Sequence, residues 1–203
     1  MDYRIFFANL IKNNYIIMGG DPYRNFKMDE QRDRAIALLG KTGAGKSSFI
    51  NSITKKNECK VGKNAKSCTS KIQIVQKLID NKNFYFIDTP GLDDGKGDDK
   101  NIAELEKLRD YPRICSLLIC LPLSEIRLSD SVKKTLKKIM DIFPSQDFWA
   151  HVIIVRTWTT MSGNKLEKHK TRYNGEILKG IKDDHDLNQY MNEKNINPPS
   201  NLK

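Results

Sequence analysis

The sequence predicts an α/β protein, a three-layer sandwich whose sheet is mostly parallel with one antiparallel hairpin strand. Apolar runs of strand length alternate with segments whose apolar residues recur at helical spacing, which is the pattern of βαβ units. Of the 203 residues, 38% are hydrophobic, enough to fill the core of one globular domain with some length to spare. This composition also argues against wholesale disorder.

The first half of the chain holds three predicted strands and one helix. Residues 35–39 are apolar throughout, as expected for a strand buried on both faces. A glycine-rich turn leads into a helix over about 46–53, and the polar, lysine-rich residues 54–70 predict a loop. Alternating apolar residues over 72–78 and an apolar run over 84–87 predict two strands that pair as a hairpin.

The second half continues the alternation. Strands are predicted over 115–121 and 151–155, and an amphipathic helix between them over 132–143, with Ser129 or Asp130 as its N-cap. Two further helical stretches are marked by apolar residues at helical spacing: Ile102, Leu105 and Leu108 in one, and Ile177, Ile181, Leu187 and Met191 in the other.

Residues 40–47 fit the motif G-x-x-x-x-G-K-[ST], between a buried strand and a helix, and predict a P-loop nucleoside-triphosphate-binding fold. Glycines let the backbone curl so that successive N–H groups point at one phosphate, and the helix N-terminus adds a favourable dipole. Lys46 is placed to reach the β- and γ-phosphates, and the Ser47 hydroxyl to bind Mg²⁺. The predicted nucleotide-binding residues of this loop are Gly40, Thr42, Gly43, Ala44, Gly45, Lys46, Ser47 and Ser48.

A second motif, Asp88-Thr89-Pro90-Gly91, follows the strand at 84–87. An aspartate at the carboxyl end of a strand beside a P-loop can hold Mg²⁺, and the N–H of Gly91 can sense the γ-phosphate. In the preceding loop, Thr69 is the candidate for another ligand to Mg²⁺. Ser70 is its rival, and a loop threonine without a role is the alternative. The predicted metal ligands are Ser47, Thr69 and Asp88.

The chain is strongly basic, with 35 lysine and arginine residues against 25 acidic ones and a formal charge of +10. Such a balance favours an anionic partner. We expect no nucleic acid among the partners, because basic and aromatic residues are not interleaved and no recognition motif is present. Residues 41–71 hold eight lysines and one acid, so we expect this charge to serve phosphates or an acidic partner face.

The lack of a recognisable targeting signal and the spacing of the cysteines lead us to expect a cytoplasmic protein. No stretch approaches the roughly 18 apolar residues of a membrane span, and the apolar run at 5–11 lacks the cleavage site of a signal peptide. The four cysteines show no Cys-x-x-Cys spacing, which favours reduced thiols over zinc or disulfides. Peripheral contact with a membrane surface stays open.

Four segments carry a family resemblance: Gly-Lys-Thr-Gly-Ala-Gly-Lys-Ser-Ser at 40–48, Ser-Cys-Thr at 67–69, Ile-Asp-Thr-Pro-Gly-Leu-Asp-Asp at 87–94, and a block over 121–143. In that block, Arg127 and a small hydroxyl residue introduce a helix that ends in Ile-Met-Asp-Ile-Phe. Together they resemble the immunity-associated, avirulence-induced (GIMAP-type) GTPases, relatives of septins and chloroplast-import GTPases. The resemblance covers roughly residues 34–160.

The resemblance implies a P-loop GTPase fold that binds GTP or GDP with Mg²⁺. It also implies a homodimer or oligomer that forms through the nucleotide face and depends on the nucleotide. The catalytic residues would be Lys46, Thr69 and Gly91. Arg127 would supply a positive charge in trans, as an arginine finger does, and an ordinary surface arginine is the alternative.

The chain departs from the family where the base is read. Arg-Thr-Trp-Thr-Thr at 156–160 follows the last predicted strand, and no aspartate stands there to bind the N1–H and amine of guanine. Thr157 and Trp158 are the candidates for base contact, with a buried packing role as the alternative for Trp158. The resemblance favours GTP over ATP.

Leu92 is a second departure, because small GTPases carry at this position a glutamine that orients the attacking water. Leucine cannot orient water, so we expect slow intrinsic hydrolysis unless a partner completes the site. Two functions stay open. One is a slow GTPase with nucleotide-dependent self-association, and the other is a nucleotide-gated scaffold with little or no turnover, or with relaxed preference for GTP or ATP.

We divide the chain into an N-terminal extension, 1–33, and a GTPase domain, 34–203. The domain is expected to be incomplete at its C-terminal end. After residue 195, only eight residues remain for the last strand, loop and helix that such a domain needs.

Overall fold

The computed structural model describes residues 16–19, 34–55, 57–61, 69–79, 82–92, 98–110, 114–125, 127–157, 176–177 and 179–199. The strands are β1 (Ile16–Gly19), β2 (Arg34–Leu39), β3 (Gln73–Ile79), β4 (Lys82–Asp88), β5 (Ile114–Pro122) and β6 (Val152–Thr157). The helices are α1 (Lys46–Thr54), α2 (Asp98–Glu106), α3 (Asp130–Ile142) and α4 (His185–Glu193), with 3₁₀ turns at Lys107–Asp110 and Phe148–His151.

The six strands form one sheet in the order β1-β6-β5-β2-β4-β3. Its centre is parallel, because β2 pairs in parallel with both β4 and β5, and β5 pairs in parallel with β6. Both edges are antiparallel: β3 pairs with β4 and β1 pairs with β6. The predicted α/β fold and its hairpin are confirmed. The sequence prediction did not include β1, because four residues are too few to show an alternating pattern.

Helices cover both faces of the sheet, and β2 shows why its sequence is apolar at every position. Ala37 and Leu39 face a core that contains residues of α2, α3 and α4, whereas Ile36 and Leu38 face a second core formed with α1. A strand in the middle layer has no solvent side, so alternation disappears. Burying each large aliphatic side chain contributes about 1.5–3 kcal/mol.

The helices begin and pack as their apolar patterns predict. Ser129 is the N-cap of α3, where its hydroxyl accepts a hydrogen bond from the Val132 N–H, and Asp130 is the first helical residue instead. The last apolar stripe is buried in the first core: Ile177, Ile181, Leu187 and Met191. None of the helices in the described segments has the length and apolarity needed to cross a bilayer.

The parallel strands place their carboxyl ends along one edge of the sheet. β2, β4, β5 and β6 end at Leu39, Asp88, Pro122 and Thr157, so these four residues lie along the same edge. Ligands of open α/β sheets bind in the crevice at this edge. The fold therefore brings the P-loop, Asp88, Gly91 and Thr157 to one edge of the sheet.

Candidate nucleotide-binding site

The P-loop curls from the end of β2 into the start of α1. Gly40 has φ +141°, and a Cβ atom there would lie 2.6 Å from the main-chain oxygen of Cys120 on β5, so only glycine fits. Gly45 precedes α1 in a left-handed conformation, and no side chain caps the helix. The curl therefore faces the first turn of α1, whose N–H groups and dipole favour an anion.

Lys46, the first residue of α1, is 6% exposed and points into this curl. Its Nζ donates to the main-chain oxygens of Gly40 at 3.1 Å and Lys41 at 2.9 Å. The ammonium is thus held inside the loop. A phosphate bound by the loop would lie within reach of its charge.

The three predicted metal ligands come together beside the P-loop. The Ser47 hydroxyl donates to Asp88 Oδ2 at 2.6 Å, and the Thr69 hydroxyl donates to the same oxygen at 3.2 Å. The two hydroxyl oxygens are 3.3 Å apart. Ser70 is exposed, whereas Thr69 takes part in this cluster. Three elements that are distant in sequence therefore supply one set of oxygen ligands.

The cluster fits a magnesium ion. Carboxylate and hydroxyl oxygens are the hard ligands that Mg²⁺ prefers. Asp88 is fully buried, and its Oδ1 has no hydrogen-bond partner in the described part of the chain. Burial raises the pKa of the Asp88 carboxyl, while the hydrogen bond from Ser47 and the charge of Lys46 act in the opposite direction. A buried carboxylate oxygen without a partner is a group that a cation would satisfy.

Gly91 lies directly against the P-loop. A Cβ atom on Gly91 would be 2.0 Å from the Thr42 hydroxyl oxygen and 2.4 Å from the Thr42 nitrogen, so no side chain fits. Asn101 on α2 donates to the main-chain oxygen of Gly91 at 2.8 Å. The segment after β4 is therefore pinned between α2 and the phosphate-binding loop.

Leu92 is anchored to the P-loop by its backbone while its side chain points elsewhere. Its N–H donates to the Gly40 oxygen at 3.1 Å, and it forms a parallel bridge with Lys41. The leucine side chain is fully buried in the core shared by α2, α3 and α4. It does not face the P-loop curl, so it has no role in orienting water there.

Thr157 joins the end of β6 to the P-loop. Its hydroxyl donates to the Ala44 main-chain oxygen at 2.6 Å, and the residue is 2% exposed. Thr157 thus belongs to the site, with its hydroxyl proton directed at the P-loop. Trp158, the other candidate for base contact, lies outside the described residues, as do Ser67, Cys68, Asp93 and Asp94 of the family segments.

Glu125 connects the P-loop to the segment that leads from β5 to α3, a contact that the sequence did not predict. Its Oε1 lies 3.4 Å from Lys41 Nζ, and its Oε2 accepts from the hydroxyl of Ser129, the N-cap of α3. Arg127 is exposed on the same segment, two residues further on. The candidate trans arginine therefore stands next to a residue that touches the P-loop.

Arg156 holds the backbone of this segment by hydrogen bonds from its buried side chain. The side chain is fully buried, and its Nη2 donates to the main-chain oxygens of Leu123 at 3.2 Å and Glu125 at 2.5 Å. Nε and Nη1 have no partner in the described segments. Burial lowers the pKa of Arg156 to about 10, although Glu125 acts in the opposite direction, so it is cationic at neutral pH. In the sequence, the feature that could have indicated this role is a charged residue at the end of an otherwise apolar strand.

Comparison with known proteins agrees with this geometry. The model of the AIG1 family matches residues 34–194. GTPase Der of Chlamydia trachomatis serovar L2 is 30% identical over 140 residues, and GTPase Der of Chlamydia muridarum is 28% identical over 138 residues. Each of these matches covers 68% of this chain and 27% of the relative, so the chain spans about a quarter of their length.

Solved structures of Toc33 from Arabidopsis thaliana have a similar fold. The complex with GDP and Mg²⁺ has a TM-score of 0.65 at 20% identity, and covers 96% of this chain and 74% of that one. The complex with Mg²⁺ and GMPPNP has a TM-score of 0.62 at 23% identity, and the match covers 86% of this chain and 73% of that one. The family match spans most of the chain, and the P-loop, Asp88 and Arg127 segments lie within it. The chain belongs to the AIG1 family, as its resemblance to the immunity-associated GTPases indicated.

Proposed function

We propose that this chain binds GTP with Mg²⁺, hydrolyses it slowly and self-associates in the nucleotide-bound state. The observation that carries this proposal is the convergence of Ser47, Thr69 and Asp88 beside the Lys46 ammonium. A P-loop alone is common to many nucleotide-binding proteins, but a further hydroxyl ligand from a separate loop is typical of a γ-phosphate switch. Relatives named as GTPases, and Toc33 structures with GDP or GMPPNP and Mg²⁺, support the choice of ligand.

Each side chain has a defined role in this proposal. Ser47, Thr69 and Asp88 would hold the magnesium ion, which would offset the charge of the phosphates when bound. The Lys46 ammonium exchanges the Gly40 and Lys41 oxygens for phosphate oxygens. Thr69 and the Gly91 N–H respond to the γ-phosphate, and both contacts are released once it is lost.

Slow turnover follows from the position of Leu92. Its side chain is buried in the core, so the residue after Gly91 leaves the attacking water unoriented. We propose that a second copy completes the site and that Arg127 supplies the charge. An arginine-to-alanine mutant of Toc33 is dimerization deficient, and dimerization is important for the GTPase activity of atToc33 and psToc159.

The test is single-turnover hydrolysis of GTP and of ATP over a range of protein concentrations. We expect the rate constant for GTP to rise with concentration, and Arg127→Ala to remove that rise while GTP affinity is retained. Lys179→Ala, which changes an exposed lysine outside the predicted site, is the matched control. A rate constant that does not depend on concentration would contradict catalysis in trans, and equal affinity for GTP and ATP would contradict guanine preference.

A nucleotide-gated scaffold is the second candidate function, favoured by the buried Leu92 side chain and by the absence of an aspartate at 158–160. In that case GTP would promote association without being consumed. Measuring association and phosphate release in the same sample separates the two functions. We propose a cytoplasmic location, and flotation with anionic vesicles would test membrane contact.

A further inference from the structure

Strand β3 forms an edge of the sheet and presents apolar side chains to solvent. In the described part of the chain it pairs with β4 alone. Ile74 is 41% exposed and Leu78 is 64% exposed, although both are large and apolar. Exposed edge strands of this kind are templates for pairing with another strand unless a charge or a proline blocks them.

Lys77, the one charged residue of β3, does not belong to the outward face, and its ammonium is bonded within the chain. Lys77 lies on the opposite face of the strand, with the buried Val75 and Ile79. Its Nζ donates to the main-chain oxygens of Ile53 and Thr54, at the end of α1. The outward face of β3 therefore consists of Ile74, Gln76 and Leu78.

The register of the hairpin shows which backbone groups face the open edge. Ile79 and Lys82 are opposite each other and are joined by two residues, so they form a hydrogen-bonded pair. Hydrogen-bonded pairs recur at every second residue of an antiparallel ladder. The N–H and C=O groups of residues 73, 75, 77 and 79 therefore point toward β4, and those of 74, 76 and 78 point away from it.

We propose that β3 pairs with β3 of a second copy of this chain, antiparallel, about a two-fold axis at Gln76. In this register Gln76 lies opposite the second copy's Gln76, and Ile74 lies opposite the second copy's Leu78. Both exposed apolar side chains then gain an apolar neighbour on the same face. The three residues with outward backbone groups form the new ladder, because a hydrogen-bonded pair stands on the axis.

The sequence of the strand is symmetric for this register. Apolar residues stand two positions before and two positions after Gln76. A shift by one residue would place the apolar side chains of the two strands on opposite faces of the sheet. A shift by two would place an apolar side chain opposite Gln76. The pattern thus fits another copy of the same strand.

Cysteine trapping tests the axis directly in nucleotide-free protein. In a hydrogen-bonded pair the two Cα atoms are about 5.5 Å apart, which lies within the range that a disulfide spans. Gln76→Cys should therefore form a disulfide-linked dimer under mild oxidation. Leu78→Cys is the matched control, because it is also exposed but lies four residues, about 13 Å, from its own counterpart.

We expect at least about five-fold more linked dimer from Gln76→Cys than from Leu78→Cys, because only the first pair can meet the disulfide geometry. A mixture of Ile74→Cys and Leu78→Cys chains should form the mixed dimer. The unmodified chain is the control for disulfide linkage through its own four cysteines. Equal yields from Gln76→Cys and Leu78→Cys would overturn the proposal. Because no nucleotide is present, this result is independent of association through the nucleotide face.

Ionic strength distinguishes a second copy from an acidic foreign strand. Residues 54–82 hold eight lysines and two acidic residues, so two copies repel each other at low salt. Sedimentation velocity of the nucleotide-free chain should show association that increases with NaCl and is lost in Leu78→Lys. Association that decreases with salt, or a chain that stays monomeric at every salt concentration, would overturn the pairing of two copies.

Discussion

The hydroxyl of Thr157, the last residue of β6, donates a 2.6 Å hydrogen bond to the main-chain oxygen of Ala44 in the P-loop. Both residues are almost fully buried, at 2% and 1% exposure. The bond fixes the phosphate-binding loop against the strand from which the base-contacting segment would start. A buried acceptor that loses its partner costs about 1–3 kcal/mol.

Thr157→Val keeps the shape of the side chain and removes the donor. We expect the free energy of unfolding to fall by about 1–3 kcal/mol, and nucleotide affinity to fall with it, because the Ala44 oxygen is left buried and unpaired. Urea denaturation and titration with a fluorescent GTP analogue measure the two effects. Thr157→Ser keeps the hydroxyl and should lose little affinity; equal losses in both variants would contradict a specific role for the hydroxyl.

Lys46→Ala should remove tight nucleotide binding. The ammonium sits inside the P-loop curl, and charge-assisted hydrogen bonds to two phosphates contribute enough that we expect affinity to fall by at least about 100-fold. Isothermal titration with GTP and Mg²⁺ measures the change. The Lys179→Ala variant, which changes an exposed lysine outside the site, should bind as the unmodified chain does. A Lys46→Ala chain that retains its affinity would refute the P-loop assignment.

Thr69→Ala should weaken the distinction between tri- and diphosphate. Its hydroxyl is 3.2 Å from Asp88 Oδ2, among the proposed metal ligands, and in a γ-phosphate switch this contact is kept in the triphosphate state and released in the diphosphate state. Affinity for GMPPNP is expected to fall about ten-fold, as the loss of one hydrogen bond to a charged group predicts, with little change for GDP. Ser70→Ala, the exposed neighbour, is the matched control, and an equal effect there would assign the role to the loop as a whole.

Gly91→Ala should displace the segment after β4 from the P-loop. A Cβ atom would lie 2.0 Å from the Thr42 hydroxyl oxygen and 2.4 Å from the Thr42 nitrogen. Because the second contact is with backbone, adding Thr42→Ala should not restore the loss. We expect GTP hydrolysis to fall to the detection limit while the far-ultraviolet circular dichroism spectrum is kept. Recovery of hydrolysis in the double variant would show that the Thr42 side chain alone causes the clash.

Alkaline pH should destabilise the fold through Cys120. Burial raises the pKa of its thiol to about 12, whereas an unfolded cysteine titrates near 8.5. The stabilisation is therefore complete below about pH 8.5 and is lost as pH rises toward 12, because the unfolded chain gives up the proton first. Urea denaturation at pH 8, 9 and 10 should show a shallower decline for Cys120→Ala than for the unmodified chain. Parallel declines would contradict a role for this thiol.

The sequence predicted those parts of the site in which local spacing determines the chemistry. Lys46 and Ser47 stand at fixed positions in the P-loop motif, and Asp88 ends a strand that must lie beside it. The choice between Thr69 and Ser70 needed the structure, because loop spacing alone does not say which hydroxyl approaches Asp88.

The contacts that the sequence did not predict depend on which loops meet at the edge of the sheet. Glu125 and Lys41 are 84 residues apart, and only the parallel order of β2 and β5 brings them together. The direction of Leu92 was equally unpredictable, since a residue after a glycine turn can point either way. Its burial follows from the bridge to Lys41, which aligns its backbone with the P-loop.

Glu125 connects the phosphate-binding loop to an exposed segment of the chain through side-chain contacts. The Glu125 carboxylate contacts Lys41 and accepts a hydrogen bond from Ser129, the N-cap of α3. The main-chain oxygen of Glu125 accepts a hydrogen bond from Arg156. A ligand that drew Lys41 toward itself would therefore act, through one carboxylate, on the short segment that carries the exposed Arg127, without the movement of a whole helix.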